Sequence, residues 1–321
     1  QDNLKRRLEE LAEVLNIKKI IEKILHCKKL ILIPHRFLHT IPLHALILDY
    51  TGDRYLIDRF KEGISYAPSC KLLQLTKEWK REQFYNLFAV QNPSKDLPYS
   101  EKEVEIIKSY FGHSDTYPEE NATKASIEQA GENELGEAHC VHFSCHSNFN
   151  FNSPLDSALT LADEKLNVKE IFKLNLKQCR LVTLSACETG LIDDESPTDE
   201  YVSLSSAFLY AGSPSVVASL WKVNDFSSAL LMIKFYECMS KDFRTNQTIK
   251  VANALNEAQR WLRRETKEDL HNWIQKLNLE PYIRELWEQE LISLCEKQNM
   301  SSQSRPFSDP YYWAAFCAIG Q

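Results

Sequence analysis

The chain has 321 residues, 43% hydrophobic and 11% aromatic, enough for one large domain or two smaller ones around a substantial core. A formal net charge of −7 gives bulk electrostatics no pull toward nucleic acid, and 8 scattered glycines supply no G-x-G-x-x-G or Walker phosphate loop. The 9 cysteines, irregularly spaced in a chain this long, point to a reducing, cytoplasmic compartment rather than a disulfide scaffold, and no apolar run approaches the ~18 residues of a membrane span.

The chain starts abruptly in a helical pattern without an initiating Met, and so reads as part of a longer protein. Leu4, Leu8, Leu11, Val14 and Leu15 place an apolar stripe on a helix over 4–26. A short strand is expected at 29–34. A second segment at 41–48 follows a turn, with His39 and His44 packed in a hairpin. A short strand and a helix starting near Pro68 fill 54–77. A buried strand at 86–90 ends in the turn residues Asn92, Pro93 and Ser94. Helices follow at 101–111 and 122–130, the latter capped by Asn121 or Thr123.

Three apolar strands come next, at 138–145, 180–186 and 215–220, with helices at 168–174, 203–211 and 227–239. An amphipathic helix covers 248–264. The charged, helix-rich stretch 265–305 reads as an insertion, and the apolar run 313–319 as a last strand. Strands alternating with helices predict an α/β fold: a mostly parallel sheet flanked by helices, with right-handed crossovers.

Two of the strands end in chemistry. His146 follows the first and Cys187 the second, 41 residues later, which is room for one crossover. In open α/β sheets the site forms outside the carboxyl ends of the strands. A thiol needs a base or cation nearby to become a nucleophile, and a histidine supplies one. The backbone amides of Cys187 and Ser147 are the natural oxyanion donors, and Gly190 allows a sharp turn after the thiol. No cofactor is implied. The cluster His139, Cys140, His142, Cys145 and His146 invites a zinc reading, but alternate strand residues face opposite ways and the spacing fits no standard ligand pair, so no metal is expected.

The runs His142-Phe-Ser-Cys-His146-Ser147, Ser157-Ala-Leu-Thr-Leu-Ala-Asp163 and Leu184-Ser-Ala-Cys187-Glu-Thr-Gly190 resemble the CHAT domain family. So do Ala207-Phe-Leu-Tyr-Ala-Gly212, Val217-Ala-Ser-Leu-Trp221, Phe235-Tyr236 and Pro310-Tyr-Tyr-Trp-Ala-Ala-Phe316, with Leu38-His-Thr-Ile-Pro-Leu-His-Ala-Leu46 upstream. The resemblance implies a caspase-like cysteine peptidase fold with an N-terminal pseudo-caspase-like half, His146 as base and Cys187 as nucleophile. The chain then divides into a helical segment over 1–27 (the end of a TPR or linker region), an N-terminal half over 28–84 and a catalytic domain over 85–321 carrying the 265–305 insertion. Two positions depart from the family pattern: Ser147 stands where glycine is usual, and Asn224-Asp225 where paired acids are frequent.

Related peptidases accept a basic residue before the cut through an acid in the pocket, and Asp156, Glu188 and Asp225 are the candidates. The acidic stretch 193–200 reads as a solvated loop or a docking site for a basic substrate. The function expected is a cysteine endopeptidase acting on a protein substrate, switched on by an activating protein or complex, through an attached TPR region or in a bacterial defence (CRISPR-linked) or developmental setting. The rival readings are a non-catalytic interaction module of the same fold and a thiol-dependent acyl transferase or hydrolase of small substrates.

Overall fold

The computed structural model describes residues 2–48, 55–131, 133–150, 152–185, 203–244 and 250–321. The N-terminal stripe forms two helices rather than one, α1 (Asp2–Val14) and α2 (Ile17–Lys23). The break is at Asn16, whose φ of 51° is left-handed, a conformation asparagine tolerates better than most residues. β1 (Leu30–Leu32) follows. The segment at 41–48 is no hairpin strand; the chain winds through 3₁₀ turns at Arg36–Thr40 and Leu43–Ala45. After α3 (Leu56–Arg59), β2 (Ile64–Tyr66) pairs with β1 in parallel. α4 (Cys70–Glu78) starts where the Ser69 hydroxyl accepts the Leu72 N–H at 3.2 Å.

β3 (Asn86–Gln91), α5 (Ser100–Lys108), β4 (His113–Pro118), α6 (Lys124–Ala130) and β5 (Cys140–Ser144) come next. Thr123, not Asn121, caps α6. β6 (Ser147–Asn148), β7 (Ala158–Thr160) and β8 (Lys165–Asn167) form a separate antiparallel ribbon. Then follow α7 (Val168–Ile171), β9 (Leu181–Leu184), α8 (Leu204–Tyr210), β10 (Ser215–Ser219), α9 (Asp225–Arg244) and α10 (Val251–Arg264). The stretch 265–305 holds α11 (Lys267–Ile274) and α12 (Pro281–Lys297). The final apolar run is only partly strand: α13 (Pro310–Trp313) precedes β11 (Phe316–Gly320).

Eight strands form one sheet in the order β1-β2-β11-β10-β9-β5-β3-β4. Every neighbouring pair is parallel except β10 with β11. The sheet therefore has two blocks of opposite direction: β4, β3, β5, β9 and β10 run one way, and β11, β2 and β1 the other. The section over 28–84 extends the sheet of the section over 85–321. β5, β9 and β10 are buried along their whole length, as strands covered on both faces must be, and so read as apolar runs. α10 and α4 both pack on β11, α10 with α9 and α13, α4 with α8. Helices thus cover both faces. The α/β class and mostly parallel sheet expected from the sequence are the ones observed.

The two blocks meet where β11 touches β2 through a single register pair, Ile319 with Tyr66. Side chains reinforce this narrow seam. From α10, Asn256 Oδ1 accepts the Ile64 N–H at 2.7 Å, and Gln259 Nε2 donates to the carbonyls of Trp313 (2.9 Å) and Phe316 (2.8 Å). His44 Nδ1 lies 2.8 Å from the Tyr66 hydroxyl, and the His44 N–H donates to the same oxygen at 2.9 Å. Burial pushes the His44 imidazole down to about 3, so it stays neutral. Gly63, at φ 90°, lets the chain pass against α10, where a Cβ would come within 2.8 Å of the Ala252 carbonyl carbon.

Replacing Asn256 by leucine leaves the buried Ile64 N–H without its acceptor. The expected cost is about 1–3 kcal/mol, read as a lower urea midpoint at unchanged slope. An unchanged midpoint would mean that the seam does not limit stability.

Candidate active site at the sheet edge

β5 is flanked in parallel by β3 and β9, with Gln91 opposite Ser144 and Phe143 opposite Leu184. The chain therefore leaves all three strands at the same edge. His146 lies there, just beyond β5, its side chain 30% exposed. Cys187 follows Leu184 by the three steps that separate His146 from Phe143. Cys187, Gly190, Glu188 and the acidic stretch 193–200 lie outside the described residues.

The loop leaving β3 brings a residue that the sequence reading passed over. Asn92 takes a left-handed φ of 46°, donates its N–H to the Ser144 carbonyl (2.8 Å), and accepts the Leu97 N–H on its side chain (3.1 Å). Lys95, also left-handed at φ 62°, pairs with Glu120 at 2.5 Å. So folded, the loop presents Asp96 to His146, with Nε2 at 2.9 and 3.0 Å from the two carboxylate oxygens. Asp96 also accepts the Ser94 hydroxyl, and these two hydrogen bonds, Ser94 first, hold its carboxyl below the usual range. An ionised carboxylate only accepts, so Nε2 carries the proton and Nδ1 is the basic nitrogen. Asp96 is 61% exposed, and an exposed pair is worth about 0–1 kcal/mol; orientation of the ring matters more here than stability.

The other histidines of the cluster have separate partners. His139 Nδ1 accepts the N–H groups of Tyr85 (3.2 Å) and Asn86 (3.0 Å) at the opposite end of the strands. His142 Nε2 approaches Glu103 Oε1 of α5 to 3.0 Å in the interior, close enough for an ion pair but outside hydrogen-bond alignment. Three histidines on three unrelated partners make no metal-binding set. Ser147 begins β6 in extended backbone, opposite Leu159, so serine replaces the family glycine there without a left-handed conformation. The Thr160 N–H bonds the His146 carbonyl at 2.8 Å, tying the ribbon to the histidine.

Of the candidate acids, Asp156 is engaged: it accepts from Lys169 at 2.7 Å and from Ser153 at 2.5 Å on the ribbon's connecting turn. Asp225 opens α9 and is half-buried, its Oδ2 3.4 Å from the Tyr99 N–H. Burial, then the neighbouring Glu103, pushes its carboxyl up to about 6; His146 and Asp96 also lie within its electrostatic reach. Asp225 thus lies within electrostatic reach of His146, while Asp156 is held by Lys169 and Ser153.

The Asp96 carboxyl should titrate below the ordinary range in a carbon-13 NMR titration. In Ser94→Ala and in His146→Gln the midpoint should rise. A midpoint unmoved by either substitution would show that neither group holds the carboxylate.

The solved structures to which the chain is similar include two of gingipain and one of separase. Gingipain R (RgpB), described as an Arg-specific cysteine proteinase, matches at 11% identity over 81% of this chain and 54% of its own (TM-score 0.44). The complex of Porphyromonas gingivalis RgpB pro- and mature domains matches at 12% over 81% and 55% (TM-score 0.42). The Saccharomyces cerevisiae separase–securin complex matches at 16% over 69% and 13% (TM-score 0.49). The chain thus spans about half of the gingipain chain and a small part of separase. No curated protein matches it. The CHAT domain family model matches residues 5–321, and the chain belongs to that family.

Proposed function

We propose that the protein is a caspase-like cysteine endopeptidase in which His146 is the base and Cys187 the nucleophile. The observation that carries this reading is the parallel pairing of β5 with β9. It brings the chain leaving β9 toward Cys187 out beside a histidine that a carboxylate already orients.

In the proposed reaction the Cys187 thiol gives its proton to His146 Nδ1, and the thiolate attacks the scissile carbonyl carbon, forming a C–S bond. The backbone N–H groups of Ser147 and Cys187 receive the oxyanion. The C–N bond then breaks, and the imidazolium returns the proton to the leaving amine. Water, deprotonated by the same nitrogen, attacks the thioester; the C–S bond breaks and the new carboxylate leaves. Asp96 holds the ring so that Nδ1 faces the thiol throughout, as a positioning residue.

For the substrate pocket, Asp225 is favoured over Asp156, whose carboxylate Lys169 already occupies. A half-buried carboxyl near the base pairs well with the guanidinium of a residue preceding the cut. The setting proposed is cytoplasmic, in keeping with the free thiols Cys27, Cys70, Cys140, Cys179, Cys238, Cys295 and Cys317. Among the described residues no helix is long and apolar enough to cross a membrane. A peptidase in that compartment needs restraint. We infer an activating protein or complex, delivered through a TPR region, in a bacterial regulatory or defence pathway, including a CRISPR-linked one.

The direct test is alkylation by a peptide chloromethyl or acyloxymethyl ketone ending in arginine, in which the thiolate displaces chloride or carboxylate to form a thioether, followed by mass mapping of the modified thiol. Cys187 should carry the label in the wild-type chain and in Asp96→Asn. His146→Ala should lower kcat/KM by about 10²–10⁴-fold. A label on any other cysteine, or none in the presence of the activator, would falsify the dyad.

Asp225→Asn should lower kcat/KM for arginine substrates by about 10–100-fold, the worth of one charged hydrogen bond, with little change for a neutral residue there. Because the carboxyl titrates near 6, wild-type KM for arginine substrates should fall as pH rises through that value, and Asp225→Asn should flatten the dependence. The sign for folding is opposite: the folded chain holds this proton longer than the unfolded one, so the group's contribution to stability declines between about pH 4 and 6 as pH rises. A neutral substrate showing the same pH profile would assign it to another group.

A further inference from the structure

The segment 265–305 bears on the same edge of the sheet. α12 is anchored there by Trp287, whose ring meets Tyr99 at 5.9 Å and Phe226 at 5.7 Å between centroids, while Tyr99 and Phe226 meet at 5.1 Å. Phe226 follows Asp225, and the Tyr99 N–H faces its carboxylate. Between α12 and the loop from β3 runs a solvent-open cleft of about 370 Å³. Pro98, Tyr99, Ile283, Leu286 and Trp287 wall it, with Glu290 among the lining residues. Leu286 is 55% exposed and Tyr282, one turn earlier on the same helix face, 63%. Apolar side chains left in water along a concave surface mark a binding groove.

The cleft is lined by one cation, Lys102, and one acid, Glu290, and further acids surround the lysine. Lys102 is buried and held by Glu105 (2.7 Å), Glu280 (3.3 Å) and Glu101 (3.4 Å). With Glu290, four carboxylates face one ammonium, leaving a surplus of negative charge. The cleft is also continuous with the catalytic loop: Tyr99 lies three residues from Asp96, at most about 11 Å along an extended chain.

We propose that this cleft docks the substrate protein's own chain, taking a segment of two or more apolar residues flanked by lysine or arginine, about four residues from the bond held at His146. The assignment rests on the peptidase reading above. Apolar side chains of the segment cover Leu286 and Trp287, and its basic residues meet Glu101, Glu105, Glu280 and Glu290.

Binding to the full chain carrying Cys187→Ala tests this without any cleavage. The probes are fluorescein-labelled peptides read by anisotropy: one with two adjacent leucines flanked by lysines, its counterpart with glutamates for lysines, one with a lone arginine, and composites joining arginine to the leucine segment through about four residues in either order. The lysine–leucine peptide should bind at least tenfold tighter than the glutamate one. Leu286→Lys, which removes the apolar contact and repels a basic peptide, should weaken it at least tenfold; Leu and Lys are both strong helix formers and the site is exposed, so the helix should persist by circular dichroism. At least one composite should bind tenfold or more tighter than either part, as linked occupancy of two neighbouring sites requires, and Leu286→Lys should abolish that gain.

Equal affinity for the two charge versions, or indifference to Leu286→Lys, overturns the docking site. Docking by the lysine–leucine peptide with no gain in either composite overturns the substrate assignment and makes the occupant a separate chain. Because the readout is binding, peptide docking together with a wild-type chain that cleaves nothing even in the presence of its activator would sink the peptidase reading and leave the cleft standing.

Discussion

The site depends on one constraint, the parallel pairing of β5 with β3 on one side and β9 on the other. Parallel strands need crossovers, so their carboxyl ends gather at a single edge whatever the distance along the chain. Asp96 and His146, fifty residues apart, meet at 2.9 Å for this reason. The pairing also fixes the faces of β5. Phe143 packs against Phe208 of α8, while His142 meets Glu103 of α5 and Tyr236 of α9. A slip of one residue would exchange these faces, driving an imidazole into the apolar layer and a phenyl ring onto a carboxylate.

A buried polar layer beneath that edge couples the helices to the strands. Ser100 Oγ meets Ser144 Oγ at 2.7 Å, Tyr236 donates to Thr183 Oγ1 at 2.9 Å, and Glu103 stands beside His142. Thr183 lies opposite His142 in the β5–β9 register, so the layer reaches both strands that lead to the dyad positions. Buried polar groups cost desolvation, and an apolar core of the same shape would often be at least as stable. What they contribute is a preferred position: α5 and α9 seat against β5 and β9 where Ser100, Glu103 and Tyr236 find their partners. α5 in turn follows directly on Tyr99 and α9 begins at Asp225, the two ends of the contact beside His146. The burial that raises the Asp225 carboxyl, and the nearby Glu103 that adds to it, are consequences of this layer.

The strands legible in the sequence were those buried on both faces. Runs such as Cys140–Ser144 and Leu181–Leu184 carry apolar side chains without alternation, because helices cover them above and below. β4, His-Ser-Asp-Thr-Tyr-Pro, gave no such signal: it is an edge strand with one neighbour, and its side chains are partly exposed. The ribbon strands of two or three residues are too short for any period to register. His146 was legible because a strand ends there within a recognisable motif. Asp96 was not, since its role arises from a loop whose form depends on left-handed Asn92 and Lys95 and on a pairing to β5 that no local pattern encodes. The signal available was an acid just beyond the carboxyl end of a strand in an α/β pattern, where a neighbour of the histidine's strand was to be expected.

The reversal of direction at β10–β11 decides which loops emerge at the edge where His146 lies. The loops leaving β1 and β2 emerge at the edge opposite His146, which removes the His39 and His44 segment from the site. The loops entering those strands emerge at the correct edge but begin four strands from β5, about 19 Å across the sheet. His44 is instead spent on the seam, neutral and buried beside Tyr66 and Gln259. The 265–305 segment escapes this restriction. It leaves the end of α10 and is drawn back by Trp287 onto Tyr99 and Phe226, against the loop that carries Asp96. With the N-terminal strands leaving at the opposite edge, the edge beside His146 has room for the helical segment 265–305, where a residue change need not disturb the register that aligns β3, β5 and β9.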